Sequence, residues 1–195
     1  MRTNHLADFL PSSDSLPWQG DGFPWQGNFK NRGRITAPIF SLMPMIPKVK
    51  TGTGFSGVLQ YALKEEKHAE ILDKNMLGTT PRELDKEFRM AADANTRAEK
   101  KMKHFILSFA DGDRPHLNRE KMKTISREFL HGMGYRTNQY VTVRHNDNGH
   151  EHLHMIVNRI STKDGKAVKD GNEKYNGSRI ARKLEKKYGL TITPS

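Results

Sequence analysis

Four of the chain's nine histidines fall within residues 145–154, which read His-Asn-Asp-Asn-Gly-His-Glu-His-Leu-His. His152 and His154 are two residues apart, so on a β-strand both imidazoles project from the same face of the sheet. Imidazole nitrogen is a common ligand of divalent cations, and three protein ligands with open coordination positions are typical of a catalytic metal site. The spacing therefore predicts a divalent metal site formed by His145, His152 and His154.

Two residues between these histidines are candidate helpers of such a site. Asp147 can orient a ligand histidine through a hydrogen bond, and His150 can serve as a fourth ligand or contact the substrate. The competing interpretation is a solvated polar hairpin whose histidines are incidental. The number and spacing of the histidines, in a chain without cysteine, favour the metal site.

Charge and composition narrow the class of partner. The 195 residues include 33 Lys+Arg against 22 Asp+Glu, and the net charge of +11 favours a polyanion. The absence of cysteine excludes a disulfide framework, cysteine-based zinc fingers and thiol catalysis. No apolar run approaches the ~18 residues of a membrane span, so we expect no membrane insertion. A metal ion in a basic protein is suited to polarising a phosphate oxygen, which predicts phosphoryl chemistry.

The histidines require a β-hairpin to bring them together. Residues 139–145 and 151–160 are predicted strands, and the turn signal Asn-Asp-Asn-Gly at 146–149 joins them. This turn would fold His145 back beside the second strand. Three residues of that strand alternate with the histidines and are predicted to face the core: Leu153, Met155 and Val157.

The elements around the hairpin indicate the fold class. A helix is predicted to begin near Ser56, and a second begins with a capping box in which Thr80 is the N-cap. A buried strand over 103–110, a helix after Asn118 and a basic helix over 176–188 complete the pattern. This order predicts an α+β domain over residues 46–195, with a central antiparallel sheet flanked by helices.

The N-terminal segment has a different composition. Residues 1–45 contain five of the nine prolines and keep no helical or strand period, which predicts an irregular or disordered extension. The segment does not resemble a secretory signal peptide, because no apolar core follows its charged start.

Three segments resemble the motifs of conjugative relaxases, the mobilization nucleases of plasmids and integrative elements. His152-Leu153-His154 and the following Met-Ile-Val-Asn-Arg-Ile are similar to the third motif. Residues 52–64 resemble the first motif, which places the nucleophile at Tyr61, and residues 104–109 resemble the second, which maps its serine to Ser108. The nearest group is the one with a single catalytic tyrosine, which includes the Agrobacterium border endonuclease.

The resemblance implies a nuclease that nicks single-stranded DNA at a transfer origin and stays on the 5′ end as a phosphotyrosine ester. It implies a divalent cofactor, Mg²⁺ or Mn²⁺ first and Zn²⁺ next. It further implies DNA contacts from Ser108, His150, Asn158 and Arg159, with accessory relaxosome proteins and a coupling protein in a bacterial cytoplasm. The tyrosine proton needs an acceptor, and Asp147, His150 and a metal-bound hydroxide remain open. Since relaxases usually extend beyond the nuclease domain, a C-terminal truncation, a minimal nuclease and an inactive remnant also remain open.

Three alternatives belong to other classes. Rolling-circle replication initiators and related transposases share the His-hydrophobe-His pair, but their tyrosine follows it, which would select Tyr175 or Tyr188. A DNA-binding module without catalysis would use the basic C-terminal helix on phosphates and a structural zinc. A metal hydrolase would use activated water and leave no covalent adduct.

Overall fold

A computed structural model describes residues 45–146 and 151–192. The predicted irregular segment up to residue 44 and the turn residues 147–149 lie outside these ranges. The strands are β1 (Ile46–Gly52), β2 (Glu70–Lys74), β3 (Met102–Ser108), β4 (Asn138–His145) and β5 (His152–Ser161). The helices are α1 (Ser56–Ala62), α2 (Pro81–Ala92), α3 (Arg119–Gly132) and α4 (Glu173–Tyr188), with short 3₁₀ helices at Glu65–Lys67 and Asp111–His116.

The five strands form one antiparallel sheet in the order β1-β3-β5-β4-β2. The central strand β5 is hydrogen-bonded to β3 on one side and to β4 on the other, and all three were predicted from the sequence. Helices cover both faces of the sheet, so the predicted α+β class with a flanked antiparallel sheet is confirmed.

Each sheet face has its own apolar core, because strand residues alternate between the faces. Towards α3 and α4, the sheet contributes Phe105, Leu107, Leu153, Met155 and Val157, which pack with Met122, Ile125, Phe129, Ile180 and Leu184. Towards α1 and α2, it contributes Val141, Val143, Ile156 and Ile160, which pack with Phe55, Leu59, Leu84 and Phe88. The predicted inward direction of the residues that alternate with the histidines is therefore confirmed, and both faces of β5 are buried.

Helix α2 begins at the predicted capping box. The Thr80 side chain accepts a hydrogen bond from the Glu83 amide, and the Glu83 carboxylate accepts from the amides of Thr79 and Thr80. These bonds, led by that from Thr79, lower the pKa of Glu83 to about 2. Helix α2 in turn positions α1, because Phe88 of α2 stacks on Phe55, the residue before α1, with 4.5 Å between ring centroids.

The two edge strands were missed by the sequence analysis. Strand β1 pairs with β3, although it contains Pro47 and two lysines, which are typical of an exposed edge. Strand β2 is five residues long and pairs with β4 through a register shift between Ile71 and Asp73. Strands this short or this charged lack the alternation of apolar and polar residues from which a strand is predicted.

The last helix begins three residues earlier than the predicted 176. Its N-cap Asn172 has a left-handed backbone with φ of 51°, a conformation that asparagine tolerates better than most residues. Within the ranges that the structure describes, none of the helices is long and apolar enough to cross a membrane.

Candidate metal centre and its tyrosine

The hairpin of β4 and β5 brings the three predicted ligands together. His145 is the register partner of His152, and Val143 that of His154, so the side chains of the three histidines lie on one face. The ring centroids of His145 and His154 are 4.1 Å apart, and those of His145 and His152 are 5.2 Å apart. One ring nitrogen from each histidine lies within 4.8 Å of the others, which is the spacing that a single cation can bridge.

His145 is oriented by the helix that carries Tyr61. Its Nε2 lies 2.6 Å from the carbonyl oxygen of Ala62, the last residue of α1. Because a carbonyl only accepts hydrogen bonds, Nε2 carries the proton and the ring's lone pair is on Nδ1. Ligand histidines in metalloproteins are commonly fixed in this way by a backbone carbonyl.

His154 is oriented by a fourth histidine, His104 of β3. Nε2 of His104 and Nδ1 of His154 are 2.7 Å apart, and both side chains are buried. Burial lowers the pKa of His104 to about 4, with contributions from Lys50 and His145, and burial also lowers the pKa of His154. Both rings are therefore neutral at neutral pH, which is the form that binds metals.

The donor set fits a divalent cation. Nε2 of His154 is buried, and no hydrogen-bond partner for it is found among the residues that the structure describes. When the Nδ1–H of His154 donates to His104, the lone pair of Nε2 is directed towards the other two ligands. A buried polar atom without a partner is costly in a purely structural cluster, and a bound ion removes that cost. Three imidazole nitrogens suit Zn²⁺ better than Mg²⁺, which prefers oxygen ligands.

Tyr61 lies beside the histidine cluster. It occupies the last turn of α1, whose other side buries Leu59 and Ala62, and 45% of its surface is exposed. Its ring centroid is 5.8 Å from that of His154 and 6.4 Å from that of His145. An exposed phenol at this distance from three ligand nitrogens can approach a phosphate held at the cluster.

Lys67 is a neighbour of the site that the sequence analysis missed. Its Nζ donates to the Tyr61 hydroxyl at 3.3 Å and lies 4.3 Å from the centroid of the ring. The contact depends on the 3₁₀ turn after α1, which ends at the left-handed residue His68. No spacing rule predicts such a turn, so the sequence offered no signal for Lys67. For His104 a signal existed, since it opens the segment that resembles the second relaxase motif.

Ser108 lies next to the cluster in the sheet. It is the register partner of His152 across β3 and β5, at the end of β3. Partners in an antiparallel register project from the same face, so Ser108 shares the face of the histidines. Its side chain is partly exposed, which leaves it accessible to a bound strand.

Asn158 and Arg159 lie at the other end of β5, and the structure does not bring them to the cluster. Asn158 is fully buried, and its amide donates to the Phe88 carbonyl at 3.2 Å. Arg159 is 8% exposed and donates to the carbonyls of Lys100 and Val168. These contacts favour a structural role for both residues over the DNA contacts predicted from the sequence.

Asp147 and His150 lie outside the described residues. The strand ends on either side of them are joined by Arg144 and Glu151, whose guanidinium and carboxylate form two hydrogen bonds at 2.8 and 2.6 Å. Arg114 reaches the same hairpin, donating to the Asn146 side chain at 3.3 Å. The root of the predicted loop is thus fixed by ion pairs.

Both downstream tyrosines lie on α4, on the far side of the sheet. Tyr175 is 71% exposed, and Tyr188 donates its hydroxyl to Glu128 at 2.9 Å. Helix α4 packs on the face opposite the histidines, so neither tyrosine lies beside the cluster.

The described part of the chain thus combines a five-stranded antiparallel sheet with three histidines that could hold a metal ion and an exposed tyrosine beside them. A family model described as the nuclease domain of MobA/VirD2-like relaxases matches residues 60–190. This match covers more than half of the chain, and the chain belongs to that family of relaxase enzymes, as the motifs had predicted.

Two relatives are Escherichia coli proteins named TraI. One is 34% identical over 67 residues, which are 34% of this chain and 9% of the relative. The other is 30% identical over 101 residues, which are 49% of this chain and 13% of the relative. The chain therefore matches only a small part of the length of these curated relatives.

Proposed function

We propose that this protein nicks one DNA strand at a transfer origin and later rejoins it, through a covalent bond between Tyr61 and the 5′ phosphate. The observation that carries the proposal is the exposed Tyr61 ring 5.8 Å from the ring of His154, beside three converging histidines. Membership of the relaxase family supports the same reaction.

In the proposed reaction, the Tyr61 oxygen attacks phosphorus, forms a tyrosyl O–P bond and breaks the bond from phosphorus to the 3′ oxygen. The proton that the Tyr61 hydroxyl gives up is returned to the 3′ oxygen, which leaves as a free hydroxyl. The reaction exchanges one phosphate ester for another, so the reverse reaction can reseal the strand. Asp147 and His150 remain the proposed acceptors of the tyrosine proton.

Each neighbouring residue has a proposed task. A divalent ion on His145, His152 and His154 would polarise a non-bridging oxygen of the scissile phosphate. Lys67, which already donates to the Tyr61 hydroxyl, stabilises the negative charge that develops on this oxygen. Ser108 binds the strand next to His152. His104 keeps His154 in the orientation that directs its Nε2 inward.

The cofactor and partners are part of the proposal. From the family resemblance we infer Mg²⁺ or Mn²⁺ as the cofactor. The all-nitrogen donor set by itself favours Zn²⁺, so Zn²⁺ is the next candidate. Single-stranded DNA at a transfer origin is the proposed substrate. Accessory relaxosome proteins and a coupling protein in a bacterial cytoplasm are the proposed partners.

A nicking assay tests the function. Single-stranded oligonucleotides from the origin next to the gene are incubated with protein and Mn²⁺ or Mg²⁺, then separated on a denaturing gel. We expect a protein–DNA adduct with the wild type and with Tyr175→Phe, and none with Tyr61→Phe. Tyr175→Phe is the matched control, because it removes the hydroxyl of another exposed tyrosine.

Other results would point to the competing functions. An adduct that persists in Tyr61→Phe would move the nucleophile to a downstream tyrosine, as in replication initiators. Cleavage without an adduct would indicate a hydrolase that uses water. DNA binding without cleavage, under every metal condition, would indicate a binding module.

A further inference from the structure

The outer side of α4 carries a continuous cationic stripe. Four basic residues at helical spacing line a shallow groove of about 360 Å³ together with Tyr175 and Ser178. They are Arg179, Arg182, Lys183 and Lys186. From Tyr175 to Lys186 the stripe extends about 16 Å along the helix axis, at 1.5 Å per residue. We call these six residues the α4 stripe.

The acidic residues of α4 face the other way. Glu173 accepts a hydrogen bond from the buried Lys103 at 2.7 Å, and Glu185, which is 1% exposed, accepts from the Met45 amide at 2.8 Å. Among the four basic residues of the α4 stripe, Arg182 lies near one of these carboxylates, with its Nε 3.8 Å from Glu185. The carboxylates are therefore used inside the domain, and the outer side of the helix presents positive charge.

Tyr175 adds an exposed aromatic ring to this charge. Its side chain is 71% exposed, whereas Tyr188 on the same helix packs against the core and bonds Glu128. Exposed rings beside cations are the combination by which proteins hold single-stranded nucleic acid, since bases stack on the ring and phosphates pair with the cations. A helix that served only solubility would not need the ring.

The α4 stripe and the histidine cluster are on opposite sides of the sheet. Helix α4 packs with Phe105, Leu153 and Met155, whereas His152 and His154 project towards α1 and α2. The nucleotides at the histidines cannot touch the stripe. The stripe must therefore bind a different segment.

We propose that the α4 stripe is a second binding site for single-stranded DNA, with Tyr175 stacking on a base and the cations pairing with the phosphates that follow. Resting on the proposed function, the bound segment is a flank of the cut strand, outside the nucleotides at the histidines. Binding itself does not require metal or cleavage.

Fluorescence anisotropy in EDTA tests the site with the full chain and labelled oligonucleotides of about 10 and about 30 nucleotides. The stripe variant carries Arg179→Gln, Lys183→Gln and Lys186→Gln. We expect it to lower the salt dependence of log K for the long strand by about 2, at about 0.7 per lost phosphate contact. Tyr175→Ala should weaken binding about five-fold or more, and Tyr175→Phe should keep it.

A matched control removes the same charge from another exposed helix. Arg82→Gln, Lys86→Gln and Arg89→Gln lower the net charge equally on α2. Equal losses in the two triple variants would overturn the proposal, since the effect would then be one of net charge. The proposal would also be overturned if duplex DNA bound as tightly as single-stranded DNA and Tyr175→Ala had no effect.

Nicking of the short oligonucleotide separates this proposal from the proposed function. If the stripe variant nicks the short strand like wild type but has lost affinity for the long one, both proposals stand. If wild type binds through the stripe but nicks nothing, the proposed function fails alone. If wild type nicks and the stripe variant binds the long strand normally, the second site fails alone.

Discussion

The two ends of strand β5 differ in what their polar side chains contact. At the first end, the rings of His152 and His154 contact each other edge to face. Nε2 of His154 has no hydrogen-bond partner in the described part of the chain. At the second end, the Asn158 amide donates to Phe88 and Gln139, and its oxygen accepts from the Ile160 amide. A single strand thus has candidate metal ligands at one end and internal hydrogen bonds at the other.

This difference separates chemistry from architecture within one sequence motif. A buried polar atom without a partner needs an explanation, and among three converging histidines a bound ion supplies one, whereas the Asn158 side chain is satisfied by protein groups. Substitutions at His154 and Asn158 should therefore differ in their effect on nicking.

The largest effect is expected at the histidine end. His154→Ala removes a central ligand, so nicking should fall by roughly 1,000-fold or more, because the phosphate loses its electrostatic stabilisation. The substitution should also lower the unfolding temperature in EDTA, because it leaves a cavity and removes the hydrogen bond to His104. Nicking is therefore compared per folded molecule. His131→Ala, which removes an exposed histidine of α3, is the control. Normal nicking by His154→Ala would end the comparison.

At the Asn158 end, stability should fall while nicking per folded molecule is kept. Asn158→Ala removes three internal hydrogen bonds and leaves buried partners unpaired, so the free energy of unfolding should fall by about 3 kcal/mol. Urea denaturation measures this loss, and nicking per folded molecule should stay near the wild-type value. A stable variant with weakened DNA binding would instead support the predicted contact between Asn158 and DNA.

Two substitutions test whether His104 positions His154. His104→Phe removes the acceptor for the Nδ1–H of His154, and the affinity for Mn²⁺ should fall about 10–100-fold, as for other residues that orient metal ligands. His104→Gln keeps an acceptor and should retain most of the affinity. Calorimetric titration of Mn²⁺ measures both. Equal affinity in both variants and wild type would reduce His104 to a packing residue.

The smallest effect concerns acid stability of the metal-free protein. Burial lowers the pKa of His104 from 6.5 to about 4, so between these values the unfolded chain binds a proton that the folded one does not. Folding stability therefore falls as the pH falls from 6.5 to 5, by on the order of 1–2 kcal/mol for this one group. Urea denaturation in EDTA at these two pH values measures the change. His104→Phe should reduce it, and the contribution of the buried His154 should remain.

The sequence predicted the centre of the sheet and the ligand cluster but not the periphery. Strands β3, β4 and β5 have buried faces that leave a clear alternation, and the register of His145 with His152 follows from the hairpin. Strand β1 contains Pro47, and β2 is interrupted at Asp73, so neither carries that alternation. Edge strands pair on one side only, so their residues need not keep a strict alternation of apolar and polar side chains.

The residues around the cluster depended on contacts that local sequence does not encode. His104 meets His154 because β3 pairs with β5 in a particular register, and Lys67 reaches Tyr61 through a 3₁₀ turn. Asn158 and Arg159 entered the predicted DNA contacts because they follow the histidines in the motif. Polar residues on a strand are read as exposed, and only tertiary packing reveals that helix α2 covers Asn158.

The hydrogen bond from His145 to Ala62 links two equilibria. Helix α1 has seven residues, too few to be stable alone, and Ala62 offers one of the carbonyls that a helix end leaves without an intrahelical donor. An ion on Nδ1 of His145 would draw electron density from the ring and strengthen the Nε2–H donor that holds this helix end. If cation binding favours the ordered helix end by some factor, then ordering that end strengthens cation binding by the same factor. DNA bound at Tyr61 would act in this way.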